Sequence, residues 1–368
     1  MKKVLSAFLV IFLVFSLCGC ITIEIRSSNI SGDQNPVSAA ESQASAAESR
    51  EPVPESPGPE ETSTEGSPDE SSGEPLNPEG FDPLLWKVSD GKGNCIYLFG
   101  TIHVGDSRIL KALALVERYI DECEYVAAEF DIIAYQKDMD AMARDLETFF
   151  YTDGTTIRDH LPSDLVDEVA RLIEKTGGYS PIFEQMKPAM WDQLLDEVLL
   201  MTKTDLTSDY GADINILKEC YDKGKQVLEL ESAAAQYALL GSFDDRLYEV
   251  ILRDSLASAE FYGTSVEALY SAWLKGSKEE IMPYVYGSVE TEDIPMEDWL
   301  KEAIADYNCK MGTERNLGMF EKARGWLESG KKVFVTAGEA HMIAEDGIVK
   351  LFEEAGYKVE RISFIITN

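Results

Sequence analysis

Only three histidines occur in the 368 residues of the chain, and two of them share a local setting. His103 closes Gly100-Thr101-Ile102-His103 after the apolar run Cys95-Ile96-Tyr97-Leu98-Phe99. His341 closes Gly338-Glu339-Ala340-His341 after Lys332-Val333-Phe334-Val335-Thr336. An imidazole just beyond a strand end sits on a rigid support, where it can ligate a metal, act as a general base or cap the turn by hydrogen bonding. One GxxH is a weak pattern, but two in equivalent settings favour a shared site. Glu129, in Ala127-Ala128-Glu129-Phe130-Asp131, is an acid at the end of an apolar run. A carboxylate there needs a partner or an open edge, because burying it alone is costly. Two imidazoles and a carboxylate are a common ligand set for a divalent metal with open positions. Arg315, in Thr313-Glu314-Arg315-Asn316, is positioned to pair with Glu129 or to grip an oxyanion. Glu231 is another strand-end acid, so either Glu129 or Glu231 could be the general base toward an activated water. His160 follows no apolar strand and stands before a predicted helix start, which suits a surface or capping role.

The elements that must carry these residues repeat. Strand, GxxH, acidic turn, helix and strand occur in that order at both ends of the folding region, once over residues 95–130 and again over 332–365. Each copy reads as a βαβ crossover with parallel strands, which puts both histidines at the carboxyl edge of one sheet, the edge where open α/β sheets bind ligands. Trp86-Lys87-Val88-Ser89 and Cys95 to Phe99, joined by Asp90-Gly91-Lys92-Gly93, read as a hairpin. Leu110 to Glu122 is predicted as a helix with a buried face that includes Leu110. Between the two copies the periodicity is mostly helical, with starts at Ser163, Pro188, Asp213 and Ser265, a short strand over 226–230 and one long helix over 308–327. The expected fold is α/β: a central sheet built from two pseudo-symmetric strand-GxxH-helix-strand halves, with a largely helical insertion.

The first eighty residues lie outside that pattern. Lys2 and Lys3 precede an apolar run over 4–17 and then Cys18-Gly19-Cys20, the shape of a secretory signal. Leu17-Cys18-Gly19-Cys20 resembles the bacterial lipobox, so residues 1–20 are expected to be a lipoprotein signal peptide with Cys20 lipidated. An ordinary secretory signal or an uncleaved anchor are the alternatives, although the run is short for a membrane span. Residues 21–80, rich in Ser, Pro, Glu and Ala, are expected to be a disordered tether, and residues 81–368 the folded domain. The protein is then exported and held at the outer face of the cell membrane. The net charge of −34 disfavours nucleic acid as a partner and adsorption to anionic lipid. Cys95, Cys123, Cys220 and Cys309 are widely spaced with no CxxC pair, which indicates neither a zinc cage nor a redox motif, and buried thiols are expected rather than disulfides.

A set of short motifs resembles the TraB/GumN family in order along residues 82–366. Besides the two GxxH motifs it comprises Ala128-Glu129-Phe130-Asp131, Lys187-Pro188, Tyr210-Gly211-Ala212-Asp213, Leu230-Glu231-Ser232 with Gln236, Ala272-Trp273-Leu274-Lys275-Gly276 and Glu314-Arg315-Asn316. That family is related to the Tiki metalloproteases and, in fold, to erythromycin esterase and the ChaN haem-binding proteins. The resemblance implies a divalent-metal-dependent hydrolase of peptide or protein substrates, with Mn, Co or Zn as the ion. His103, His341 and Glu129 would be its ligands, and Arg315 and Asn316 match the family's RN pair. It also leaves open a metal-independent esterase, and a non-catalytic protein that sequesters a peptide pheromone or haem. Two positions depart from the pattern: Ala344 stands at the first position of the usual glycine turn after His341, and Glu339 is an unusual acid inside the second motif.

Overall fold

Residues 22–26, 77, 79–290 and 297–365 are described by the structure, a computed structural model. The chain divides into two units, one of residues 28–78 and one made of residues 1–27 together with 79–368. Apart from Asn77, the first unit lies outside the described residues, as do residues 1–21 with the expected signal segment and Cys20.

The described strands of the second unit are β1 (Thr22–Arg26), β2 (Leu85–Ser89), β3 (Cys95–Thr101), β4 (Tyr125–Ala128), β5 (Gln226–Glu229), β6 (Tyr286–Glu290), β7 (Val333–Gly338) and β8 (Lys358–Ile362). Six of them form one mixed sheet in the order β5-β4-β7-β3-β2-β8, and β1 and β6 pair separately, in parallel. β1 falls within the segment read from sequence as tether; its alternation of Ile23 and Ile25 with polar neighbours is a strand pattern that the surrounding Ser and Pro composition obscures. The β2–β3 hairpin forms as predicted, its turn held by Asp90 Oδ1, which accepts from the Lys92 and Asn94 N–H groups at 2.8 and 3.1 Å.

β3 is buried on both faces because its side chains alternate between two cores: Ile96 and Leu98 enter one, Tyr97 and Phe99 the other. β7 repeats the arrangement, with Val333, Val335 and Ala337 on the first face and Phe334 on the second. The two strands lie side by side and parallel, from Tyr97↔Phe334 to Thr101↔Gly338. β4 pairs in parallel with the other edge of β7. The strands of each crossover therefore run the same way, as expected, but they are not neighbours. β7 sits between β3 and β4, so the two crossovers interleave and bring the ends of β3 and β7 together.

Helix α1 (Arg108–Asp121) buries Ile109, Ala112, Leu113, Val116 and Ile120. Leu110, expected on that face, is 49% exposed, since one residue turns a helix by about 100°. α2 (Ala212–Asp222) and α3 (Tyr262–Lys275) cover the same sheet face through Ile216, Tyr270 and Trp273. The helices Ser163–Lys175, Pro188–Lys203 and Asp245–Ser258 of the insertion build a separate core around Trp191, Phe183 and Phe149. The single long helix expected over 308–327 is instead a helix Asp298–Asn308, a π-helical turn Cys309–Glu314 and α4 (Arg315–Glu328). After β7 come α5 (Glu339–Ile343) and α6 (Ile348–Glu354). Cys95, Cys123, Cys220 and Cys309 are free thiols; Cys123 and Cys220 are buried as expected, whereas Cys95 is half-buried and Cys309 exposed, and among the described residues no helix is long and apolar enough to cross a membrane.

Candidate functional site

The pairing of Thr101 with Gly338 places both GxxH segments at one sheet edge. His103 lies two residues past β3. Its Nδ1 is in ion-pair contact, at 3.3 Å, with Asp213 Oδ2, near the start of α2. The helix comes this close because residue 211 is glycine: a Cβ there would stand 2.7 Å from the His103 carbonyl oxygen, and the next residue, Ala212, donates its N–H to the Ile102 carbonyl at 2.7 Å. This gives the Tyr-Gly-Ala-Asp motif a physical role, delivering the carboxylate of Asp213 to His103.

His341, on α5, is 2% exposed, and its Nδ1 lies 2.6 Å from Asn316 Oδ1. The amide of Asn316 is oriented by its Nδ2, which donates to the Asp346 carbonyl oxygen at 3.2 Å. Its Oδ1 therefore faces the imidazole as an acceptor, which puts the proton of neutral His341 on Nδ1 and a lone pair on Nε2. The Asp213 carboxylate favours the same tautomer in His103. Arg315 and Asn316 are both buried although adjacent in sequence. They follow directly on the π-turn, whose extra residue shifts the phase of the helix, a device common at functional sites.

Beside the histidines is a network of two acids and one base. Glu129, the first residue after β4, and Glu231, two residues after β5, are linked by the Glu231 N–H donating to the Glu129 carbonyl oxygen at 2.7 Å. The Arg315 guanidinium reaches both side chains: Nη2 donates to Glu129 Oε2 at 2.9 Å and to Glu231 Oε1 at 2.8 Å, and Nε donates to Glu231 Oε2 at 2.9 Å. Gln236 Nε2 donates to Glu129 Oε2 at 3.0 Å, and the Gly338 N–H to Oε1 at 2.9 Å. Burial alone would raise the Glu129 carboxyl. Arg315, then His341 and His103, and the Gly338 N–H outweigh it and hold the group well below the usual carboxylate range. Arg315 thus takes the pairing role expected of it, and Glu129 lies within electrostatic reach of both imidazoles.

Two tests bear on a metal. The imidazoles fit one, since each Nδ1 faces a side-chain oxygen, the second interaction that ligating histidines usually have. Glu129 fits less directly, because both of its oxygens already accept hydrogen bonds. Among the described residues no group of three or more His, Cys, Asp or Glu is set to hold an ion. His160 is elsewhere, stacked on Tyr151 and bound to Asp245 and Thr155 at 2.8 Å each.

Sequence reasoning missed Asp213 as the partner of His103 and gave Glu339 no place. Glu339 opens α5 and is 7% exposed, and burial pushes its carboxyl up to about 8, against the weaker pull of Arg361 and Lys278. A cavity of about 410 Å³ is lined by His103, Glu339 and apolar side chains of α3. A second cleft, of about 590 Å³, is lined by Asn316, His341 and Asp346 and shares Val285 and Ala340 with the first. No characterised protein and no solved structure aligns significantly with the chain. The model of the TraB/PrgY/gumN family matches residues 84–361, a span that holds the six-stranded sheet but for the last residue of β8 and every residue of the site, and the chain belongs to that family.

Proposed function

We propose that the protein is an exported hydrolase, held at the outer face of the membrane by lipid on Cys20, that cleaves peptide or protein substrates with the help of a divalent ion. The observation that carries this reading is the matched setting of His103 and His341. Each follows one of two adjacent parallel strands, and each has a side-chain oxygen near Nδ1, Asp213 Oδ2 at 3.3 Å for His103 and Asn316 Oδ1 at 2.6 Å for His341, so Nε2 is the atom that would ligate. His103 and His341, with Glu129 as the carboxylate, would hold the ion, which when bound supplies Lewis acidity at the scissile carbonyl and lowers the pKa of water. Arg315 fixes the carboxylates of Glu129 and Glu231 and offers a guanidinium to negative charge developing on the carbonyl oxygen. Glu129 and Glu231 are the two carboxylates at hand to take the proton of the attacking water.

Metal analysis of the purified chain, beside cleavage of a peptide library, tests this reading. About one ion per chain, lost in His103→Ala together with cleavage, is the expected result, and a metal-free protein with full activity would overturn it. Labelling with a lipid precursor, lost in Cys20→Ser, tests the anchor. The contact between Asp213 and His103 favours one alternative, an esterase with His103 as general base and no metal. Activity that survives strong chelation but is lost in Asp213→Asn would select it.

A further inference from the structure

Tyr262, Val266, Leu269 and Trp273 of α3 are spaced four, three and four residues apart, the pattern of one apolar helix face. Such a face is normally covered along its whole length by a neighbouring element. Trp273 is covered: it is 1% exposed, and its indole N–H donates to the Gly100 carbonyl oxygen at 3.0 Å. Tyr262, Val266 and Leu269 are only half-buried, and all four residues line the cavity of about 410 Å³. The rest of its wall includes parts of both GxxH segments, residues 101–103 and 338–340, and the end of the helix Lys278–Val285. The uncovered part of the stripe therefore adjoins the histidine pair.

Volume, charge and position decide what fills it. An apolar cavity of about 150 Å³ holds a benzene molecule, so about 410 Å³ takes a large side chain together with the backbone that carries it. No lysine or arginine is among the described residues of the wall; Asp196 is, while the carboxyl of Glu339 is packed away against Gly100. A free fatty acid would bring a carboxylate toward Asp196 with no cation to receive it, whereas an uncharged side chain within a peptide brings no charge. With His103 in the same wall, a side chain seated here carries its own peptide bonds to the histidine pair. We propose that this cavity is the specificity pocket of the site: it seats a large apolar side chain of the residue next to the scissile bond, and Leu269, between Val266 and Trp273 on the stripe, limits its size. That the side chain belongs to a substrate rests on the hydrolase reading; the seat itself does not, since binding is read without metal or turnover.

The test is titration of the full chain in chelator with N-acetyl-phenylalaninamide, N-acetyl-alaninamide and decanoate. The phenylalanine compound is expected to bind about tenfold or more tighter than the alanine compound, the difference made by burying one aromatic side chain, and tighter than decanoate. Photo-cross-linking of the wild type with N-acetyl-p-benzoylphenylalaninamide should label the segments that line the cavity, a readout that needs no variant. Leu269→Trp, with the unfolding midpoint as control for the fold, should level the phenylalanine and alanine compounds, and Leu269→Ala should shift the preference several-fold toward N-acetyl-tryptophanamide. Equal affinities in the wild type, tighter binding of decanoate, labelling elsewhere on the chain, or a phenylalanine preference unchanged in folded Leu269→Trp would overturn the assignment. In peptide-library cleavage with metal supplied, cut sites should lie beside large apolar residues, and cleavage indifferent to them would overturn the specificity role. Apolar preference in binding without any cleavage would leave the seat standing and count against the hydrolase reading alone.

Discussion

Replacing Arg315 by methionine removes the guanidinium that pairs with both Glu129 and Glu231 and leaves their carboxylates side by side near the end of the sheet. Removing one partner from a buried, hydrogen-bonded ion cluster typically costs about 3–5 kcal/mol, most of it the penalty of the charge left behind. Against a total stability of about 5–15 kcal/mol the variant still folds, with a Tm lower by about 10 °C. The pH dependence is the sharper sign. In the wild type the folded-state pKa of Glu129 lies below its unfolded value of about 4.5, so its contribution is fully present above that pH and is lost only as pH falls toward the folded pKa. In the variant the largest lowering influence is gone and burial governs, so the group pays a penalty at pH 7 that protonation relieves as pH falls. Urea unfolding at pH 7 and pH 5 should therefore show a gap between wild type and Arg315→Met that narrows at the lower pH. A loss below about 1 kcal/mol at pH 7, or a gap that widens at pH 5, would refute the view that Arg315 holds buried negative charge.

Glu339 has the opposite sign: its folded pKa of about 8 exceeds the ordinary 4.5, so the wild type loses stability as pH rises between those values. Glu339→Gln, neutral throughout, should gain about 3 kcal/mol on the wild type between pH 4.5 and pH 7 in denaturant titrations, and a constant difference would count against a buried acid. Gly100→Ala should cost about 1–3 kcal/mol, because its Cβ would meet the Glu339 carboxyl at 2.0 Å, and Glu339→Ala in the same chain should recover most of that loss in a double-mutant cycle. Asn316→Ala frees the Nδ1 of His341, and equilibrium metal titration should show an affinity about 10–100-fold weaker, with the unfolding midpoint serving as control for the fold.

The sheet was legible in the sequence where it is buried on both faces. The runs 95–99 and 333–335 are continuous apolar segments that lead into a GxxH, and both lie in central strands. What periodicity does not encode is which strand stands next to which, and the insertion of β7 between β3 and β4 is a property of the whole chain. The same holds within the site. Arg315 was identified as the natural partner of Glu129 because a strand-end acid needs one, whereas Asp213 stood in the sequence as a helix start and nothing local tied it to His103. The π-turn before Arg315 left no mark in the apolar spacing, so its helix was read as continuous from residue 308. Glu339 was noticed as out of place in its motif, but the Gly100 Cα that accommodates it lies on another strand, a relation visible only in three dimensions.

The position of β7 also fixes when the site can come into being. β3 leaves the ribosome early, yet its neighbour toward the sheet centre is a strand near the carboxyl terminus, so the pairing closes a loop over residues 102–332. Closing so long a loop is entropically slow and needs most of the chain in place first. Until then His103 is a side chain beside an unpaired edge, with neither His341 nor Arg315 opposite it. A chain cut short before residue 333 keeps the first GxxH segment, Glu129, Glu231 and Arg315 but lacks β7, the strand that stands between β3 and β4, and with it His341.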